Sequence, residues 1–263
     1  MMNAECSHVP ARAMLIAHRG ASHDAPENTL AAVQLAWQRH ADAVEIDVHL
    51  SADSRAVVIH DSNTQRTAGE AGEVAARTLE QLKRLDVGRH KAAGWASERI
   101  PTLEEVLATV PRGKRLFVEI KCGPEILGPL EAAVADSGLE ARQVVLVGFG
   151  LETMAAAKQR LPDHPVYWIC AQQQDESDGS WKPGADELVA KVRQAGLDGL
   201  SVRACAAVDR PFVERFHAAG MALCVWTVDD PAEAKRLQQA GADAITTNRP
   251  GWLRAKLPPT CLP

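Results

Sequence analysis

The stretch Met14-Leu15-Ile16-Ala17-His18-Arg19-Gly20-Ala21-Ser22 decides the architecture. Four apolar residues of strand type run into a turn. An open, doubly wound α/β sheet would carry a G-x-G-x-x-G turn at that point, where backbone amides and the next helix seat a pyrophosphate. This chain has His18-Arg19-Gly20 instead, a turn bearing an imidazole and a guanidinium. Working outward, the run 14–17 is the first of eight, the others being 43–48, 116–120, 144–148, 166–169, 199–202, 222–227 and 244–247. Helical patterns follow them, starting near Thr29, Thr102, Pro124, Leu151, Ala185, Asp209, Pro231 and Pro250. Strands alternating with helices signify a parallel sheet. Eight of each, without the dinucleotide fingerprint, predict a closed (β/α)₈ TIM barrel, a fold of about 250 residues.

Helix ends carry the matching chemistry. Thr102 opens a capping box with Glu105 three residues on. Asp230-Pro231 places proline at a first helical position. Gly138, Gly196, Gly220 and Gly241 stand where helices should stop. One connection is long: about fifty residues separate the second strand from the helix near Thr102, well beyond an ordinary loop. Within it, 56–60 has the pattern of an extra strand and 78–85 that of a short helix. The expected organisation is a single domain over 1–263, with a barrel core at about 14–256 and an insertion at about 51–101 that caps the catalytic rim.

Composition narrows the function. A chain of 263 residues, 46% hydrophobic and 24% charged, can bury a large core without disulfides or a structural metal. A net charge of −5 argues against nucleic-acid binding, which needs a basic footprint. No apolar run is long enough to span a bilayer. The sequence also lacks a lipidation motif and a basic amphipathic helix, so no stable membrane association is expected. Residues 1–12 lack the apolar core of a secretory signal. Cys6, Cys122, Cys170, Cys205, Cys224 and Cys261 are scattered with no C-x-x-C, the pattern of reduced thiols in a cytoplasmic protein. No oligomeric state is legible.

Strand parity then sorts the chemistry. In Val44-Glu45-Ile46-Asp47-Val48, side chains alternate between faces. The apolar set belongs against the outer helices, so Glu45 and Asp47 point into the barrel. Phe117-Val118-Glu119-Ile120-Lys121 repeats the pattern and sends Glu119 and Lys121 inward. Converging carboxylates in a barrel interior are costly unless a cation compensates them. Oxygen donors of this kind favour hard ions, Mg²⁺ or Ca²⁺ and also Mn²⁺. The competing reading is a closed salt-bridge network with Lys121. His18 ends the first strand and His60 ends the extra one, on the same rim, and histidine is the usual general acid or base near neutral pH. Arg19 offers a planar fork for phosphate, with Lys121 as a second cation. Trp226 either lines the pocket or fills the barrel. Asn28 is a helix cap or a loop anchor, and Asp61 orients His60 or forms a turn. His49 and the other histidines show no partner pattern.

Ala17-His18-Arg19-Gly20, Pro26-Glu27-Asn28-Thr29, Glu45-Ile46-Asp47-Val48, His60-Asp61, Glu119-Ile120-Lys121, Trp226-Thr227-Val228 and Thr247-Asn248-Arg249-Pro250 resemble, in order, the motifs of the glycerophosphodiester phosphodiesterase family. The resemblance covers about 15–252. It implies a TIM barrel with a small insertion after strand two. Glu45, Asp47 and Glu119 would bind a divalent metal, and His18 and His60 would serve as general acid and base. Arg19 and Lys121 would hold phosphate, and Trp226 would line the pocket. Two turns depart from the family pattern: Asp53-Ser54 where the family often has Asp-Gly, and His40-Ala41-Asp42 where it often has Gly-Ala-Asp.

The implied reaction is metal-dependent hydrolysis of a small glycerophosphodiester to glycerol phosphate and an alcohol. One rival is a lysophospholipase D, which would need an apolar groove for an acyl chain; Trp95 and Trp226 are the residues that could line one. A non-catalytic phosphoester-binding barrel is the other, but it would have lost a histidine or a metal carboxylate, and all five are present.

Overall fold

Eight parallel strands close into a barrel in the computed structural model, which describes residues 12–257. They are β1 (Met14–His18), β2 (Ala43–Leu50), β4 (Arg115–Ile120), β5 (Val144–Gly148), β6 (Val166–Cys170), β9 (Gly199–Arg203), β10 (Ala222–Trp226) and β11 (Ala244–Thr247), and β1 pairs with both β2 and β11. The remaining strands are outside the barrel: β3 (Ala56–Val58) runs antiparallel to β2, and β7 (Gln173–Gln174) and β8 (Trp181–Lys182) form a small hairpin not foreseen in the sequence. Cys6 and Cys261 lie outside the described residues, while Cys122, Cys170, Cys205 and Cys224 are free thiols.

Period-two alternation builds two separate apolar layers. Val44, Ile46, Val48, Val118 and Ile120 pack outward against helix residues such as Val33, Ala36, Leu103 and Leu130. Ile16, Ala43, Phe117, Val147, Tyr167 and Ile169 fill the barrel interior. Glu45 and Asp47 have the parity of Ala43, so they continue the inner layer toward the strand's C-terminal end, where barrel active sites form. Register brings them beside their neighbours: His18 pairs with Glu45, and Asp47 with Glu119.

The segment after β2 packs on its own cluster of Val57, Ile59, Val74, Leu82, Leu85, Val87 and Ile100. Lys91 Nζ reaches from it to the Ser22 carbonyl at 2.7 Å, which ties it to the rim of the barrel. The expected short helix occupies Leu79–Lys83, capped by Thr78 with Gln81 in a capping box.

Both turns that depart from the family pattern are left-handed: His40 has φ 61° and Ser54 φ 58°, and both side chains are exposed. A left-handed backbone costs an L residue about 1–2 kcal/mol, and glycine's extra unfolded-chain freedom offsets roughly 0.5–1 kcal/mol of any relief. The double variant His40→Gly/Ser54→Gly should therefore gain about 1 kcal/mol. Urea unfolding should show a higher midpoint at unchanged slope. A lower midpoint would mean that these side chains contribute more than their strain costs.

Candidate active site

At the C-terminal end of the barrel a pocket of about 210 Å³ opens between the strand ends. Its walls include His18, Arg19, Glu45, His60, Glu119, Lys121 and Trp226, which collects every expected site residue except Asp47. Asp47 lies directly behind them and is fully buried. Apolar side chains of the inner layer, Ile16, Phe117, Val147 and Ile169, form the floor.

The turn after β1 can reach this position because residue 20 is glycine. Gly20 has φ +80°, and a Cβ there would stand 2.5 Å from the Ala32 backbone carbon. The chain thus folds flat against the first helix, Leu30–Gln38, and the Arg19 amide donates to Glu45 Oε2 at 2.9 Å. Thr29, not Asn28, caps that helix, accepting from the Ala32 amide. Asn28 is a loop anchor: its Nδ2 donates to Asp47 Oδ2 at 2.8 Å and its Oδ1 accepts from the Asp47 amide at 3.1 Å.

One oxygen from each of Glu45, Asp47 and Glu119 lies within 4.8 Å of the other two. Burial first, then the charges of Asp47 and Glu119, push the Glu45 carboxyl well above the usual carboxylate range. Burial and Asp47 likewise raise Glu119. Lys121 answers part of this charge, with Nζ 2.7 Å from Glu119 Oε1 and 3.6 Å from Asp47 Oδ1. Burial would lower Lys121, but Glu119 and Asp47 outweigh it and hold its pKa up. A closed ion-pair network would leave no acceptor over. Here Glu45 Oε1 is buried without a hydrogen-bond donor, and Asp47 Oδ1 has only the Lys121 ammonium, at 3.6 Å and beyond hydrogen-bond distance. Buried carboxylate oxygens without partners are expensive, and their presence fits a cation that would take them as ligands.

The two histidines are held differently. His18 Nδ1 lies 2.7 Å from Asn248 Oδ1. Burial, then the Arg19 charge, lower its pKa against that hydrogen bond, so the ring is predominantly neutral at neutral pH. His60 Nδ1 lies 2.5 Å from Asp61 Oδ1, so Asp61 does orient its neighbour. Asp61 is drawn down to about 2 by hydrogen bonding from Arg66, which makes it an ionised acceptor. Arg66 also bonds Glu27 at 2.7 and 2.9 Å, and Glu27 bonds Arg19 at 3.0 Å. Burial would raise Glu27, yet Arg66 and Arg19 hold it at about 2. A residue of the inserted segment thereby braces both the second histidine and the arginine.

Trp226 lines the pocket while packing on the apolar layer that fills the barrel. Its Nε1 donates to the Ser201 carbonyl at 3.0 Å, and its ring meets Phe149 edge-on at 5.9 Å. Phe149, 51% exposed, stands at the mouth with Lys121 Nζ 5.8 Å from its ring centre. Trp95 does not line the pocket, and Phe149 takes the place expected of it. His49 was also missed. It is buried, and its Nε2 donates to the His60 carbonyl at 3.0 Å, fixing the backbone that presents His60.

The sequence profile described as the Glycerophosphoryl diester phosphodiesterase family matches residues 18–252. The chain belongs to that family. It is therefore an enzyme, a phosphoric diester hydrolase on a TIM barrel. A glycerophosphodiester phosphodiesterase of Caldanaerobacter subterraneus subsp. tengcongensis is 33% identical over 249 residues, spanning 92% of this chain and 96% of that protein. Among solved structures, a phosphodiesterase of Oleispira antarctica, in complex with the product sn-glycerol-3-phosphate, superposes with a TM-score of 0.82 at 27% identity, covering 93% of this chain and 96% of the other. The glycerophosphodiester phosphodiesterase of Thermotoga maritima superposes at 0.72 with 25% identity over 93% and 98% of the two chains.

Proposed function

We propose that this enzyme hydrolyses small glycerophosphodiesters to glycerol phosphate and an alcohol, using a divalent cation with His18 as general base and His60 as general acid. The observation that carries the reading is that both imidazoles line the same pocket as the carboxylate cluster and two phosphate-type cations. Glu45, Asp47 and Glu119 would hold the cation, Mg²⁺, Mn²⁺ or Ca²⁺, which when bound neutralises phosphate charge and polarises the phosphorus centre. Arg19 and Lys121 orient the phosphate oxygens. His18, half-buried and beside Arg19, rests neutral and takes the proton of the attacking hydroxyl as its oxygen bonds to phosphorus. His60 stands against the ionised Asp61, the partner a charged imidazolium needs, and delivers its proton to the alkoxide as the old P–O bond breaks.

The pocket supports a small substrate. A floor of Ile16, Phe117, Val147 and Ile169 closes a volume of about 210 Å³. That suits a glycerol phosphate, and the Oleispira antarctica relative holds sn-glycerol-3-phosphate. No helix among the described residues is long and apolar enough to cross a membrane. Alcohol release from glycerophosphocholine should exceed that from lysophosphatidylcholine, compared as kcat/KM below the lipid's micellar concentration. A preference for the lysolipid would assign the enzyme as a lysophospholipase D, with Phe149 and Trp226 carrying the acyl chain.

A further inference from the structure

Behind His18 lies a polar chain that the chemistry above does not use. Asp229 accepts from Thr247 Oγ1 at 2.7 Å and from the Asn248 amide at 2.8 Å on Oδ1, and from Asn248 Nδ2 at 2.7 Å on Oδ2. Burial would raise this carboxyl, but the hydrogen bonds from Asn248 and Thr247 outweigh it and keep it ionised. An asparagine amide can be turned either way in space, but a carboxylate accepts only. Nδ2 must therefore face Asp229. Asn248 Oδ1 is then committed to the other side, where His18 Nδ1 lies at 2.7 Å and Ser22 Oγ at 3.1 Å. An amide oxygen cannot donate, so Nδ1 carries the proton. In the neutral ring this leaves the lone pair on Nε2, the one nitrogen of His18 still free on a side chain that lines the pocket. Neutral histidine in water favours the opposite tautomer, with the proton on Nε2, so something in the fold must reverse the preference.

We propose that Asp229 is a positioning residue that, by locking the Asn248 amide, fixes His18 in the Nδ1–H tautomer whose Nε2 receives the nucleophile's proton. The inference rests on the reading of His18 as general base. Tautomers set by the partner of the second ring nitrogen are a general property of functional histidines.

Long-range ¹H–¹⁵N spectra of the wild-type enzyme, labelled at histidine and assigned by the signals lost in His18→Ala, read the tautomer directly. A protonated Nδ1 and bare Nε2 are expected at neutral pH, and Asn248→Ala should release the ring to the Nε2–H form. Asp229→Ala and Asn248→Ala should each lower kcat by roughly 10–100-fold, the usual size of losses in supporting hydrogen-bond partners, with KM little changed. The swapped pair Asp229→Asn/Asn248→Asp restores an acceptor for Thr247, a donor between the two residues and an acceptor for His18 Nδ1. It should recover most of the lost kcat, which a merely structural role does not predict. An Nε2–H tautomer in the wild type would overturn the inference. So would activity lost in His18→Ala but kept in Asp229→Ala and Asn248→Ala, which leaves the catalytic reading standing. Full activity in His18→Ala would overturn both.

Discussion

His18→Ala and His60→Ala are each expected to lower kcat by roughly 10²–10⁴-fold, the usual contribution of a positioned acid or base. In barrier terms this is about 2.7–5.5 kcal/mol, at 1.36 kcal/mol per tenfold. The folded state should survive both changes. His60 retains 29% side-chain exposure and His18 is only half-buried, so neither substitution opens a core cavity. Asp61 keeps its bonds to Arg66 at 2.6 and 3.2 Å when the His60 ring is removed. Thermal melts of the variants should therefore stay close to wild type while turnover collapses. A second substrate separates the roles. An aryl ester of glycerol phosphate has a leaving group that needs no proton, so it should restore much of the activity of His60→Ala and little of that of His18→Ala. Rescue of His18→Ala instead would reverse the two assignments, and near-normal kcat in either variant on the natural ester would remove that histidine from the mechanism.

What the sequence made legible was whatever strand parity governs. The alternation through Val44, Glu45, Ile46, Asp47 and Val48 is enough to place two carboxylates inward, because a half-turn per residue leaves no other arrangement once the apolar face is committed to the helices. The same rule extends one step further, to His49, which shares the parity of Glu45 and Asp47 and is buried behind His60. Parity alone places the His49 ring inward but names no partner, because the His60 carbonyl that it meets lies across a turn. Contacts between distant segments had no local signature. Glu27, Asp61 and Arg66 meet only because a short helix of the inserted segment, Gln65–Ala68, folds back over the rim. Asp229 and Asn248 come from loops that follow adjacent strands, and nothing in their spacing announces a hydrogen bond to a histidine some 230 residues away. Phe149 follows β5 as an ordinary apolar residue, and only the closed barrel shows that it stands at the mouth of the pocket. The turns at His40 and Ser54 are a converse case: the family's glycine marks a left-handed backbone, and this chain keeps the conformation without the residue that makes it cheap.

Exhaustive chelation is expected to abolish activity, and Mg²⁺, Mn²⁺ or Ca²⁺ to restore it, with a change in stability that activity alone would not show. Three carboxylates face Arg19 and Lys121, so the cluster keeps a surplus negative charge when all three are ionised. Without a cation, the enzyme relieves this by holding Glu45 and Glu119 protonated above their ordinary pH range. Above the ordinary glutamate pKa, the folded metal-free protein binds more protons at these groups than the unfolded chain does, so their contribution to stability falls as pH rises toward neutrality. A cation reverses that trend by replacing the protons, and its affinity should grow with pH. At a hundred times its dissociation constant it would add about 2.7 kcal/mol, or a Tm rise of roughly 5–10 °C for a protein of this size. Glu45→Gln distinguishes the cation site from a structural ion pair. It replaces a carboxyl whose ionisation the metal-free fold disfavours with a neutral amide, so the chelated variant should melt at or above the chelated wild type. The increment on adding metal should shrink or vanish, and turnover should be lost. If the carboxylates served only Lys121 and Arg19, the same substitution would lower Tm with or without metal. Full activity after chelation, together with a Tm indifferent to Mg²⁺, Mn²⁺ and Ca²⁺, would rule out the cation.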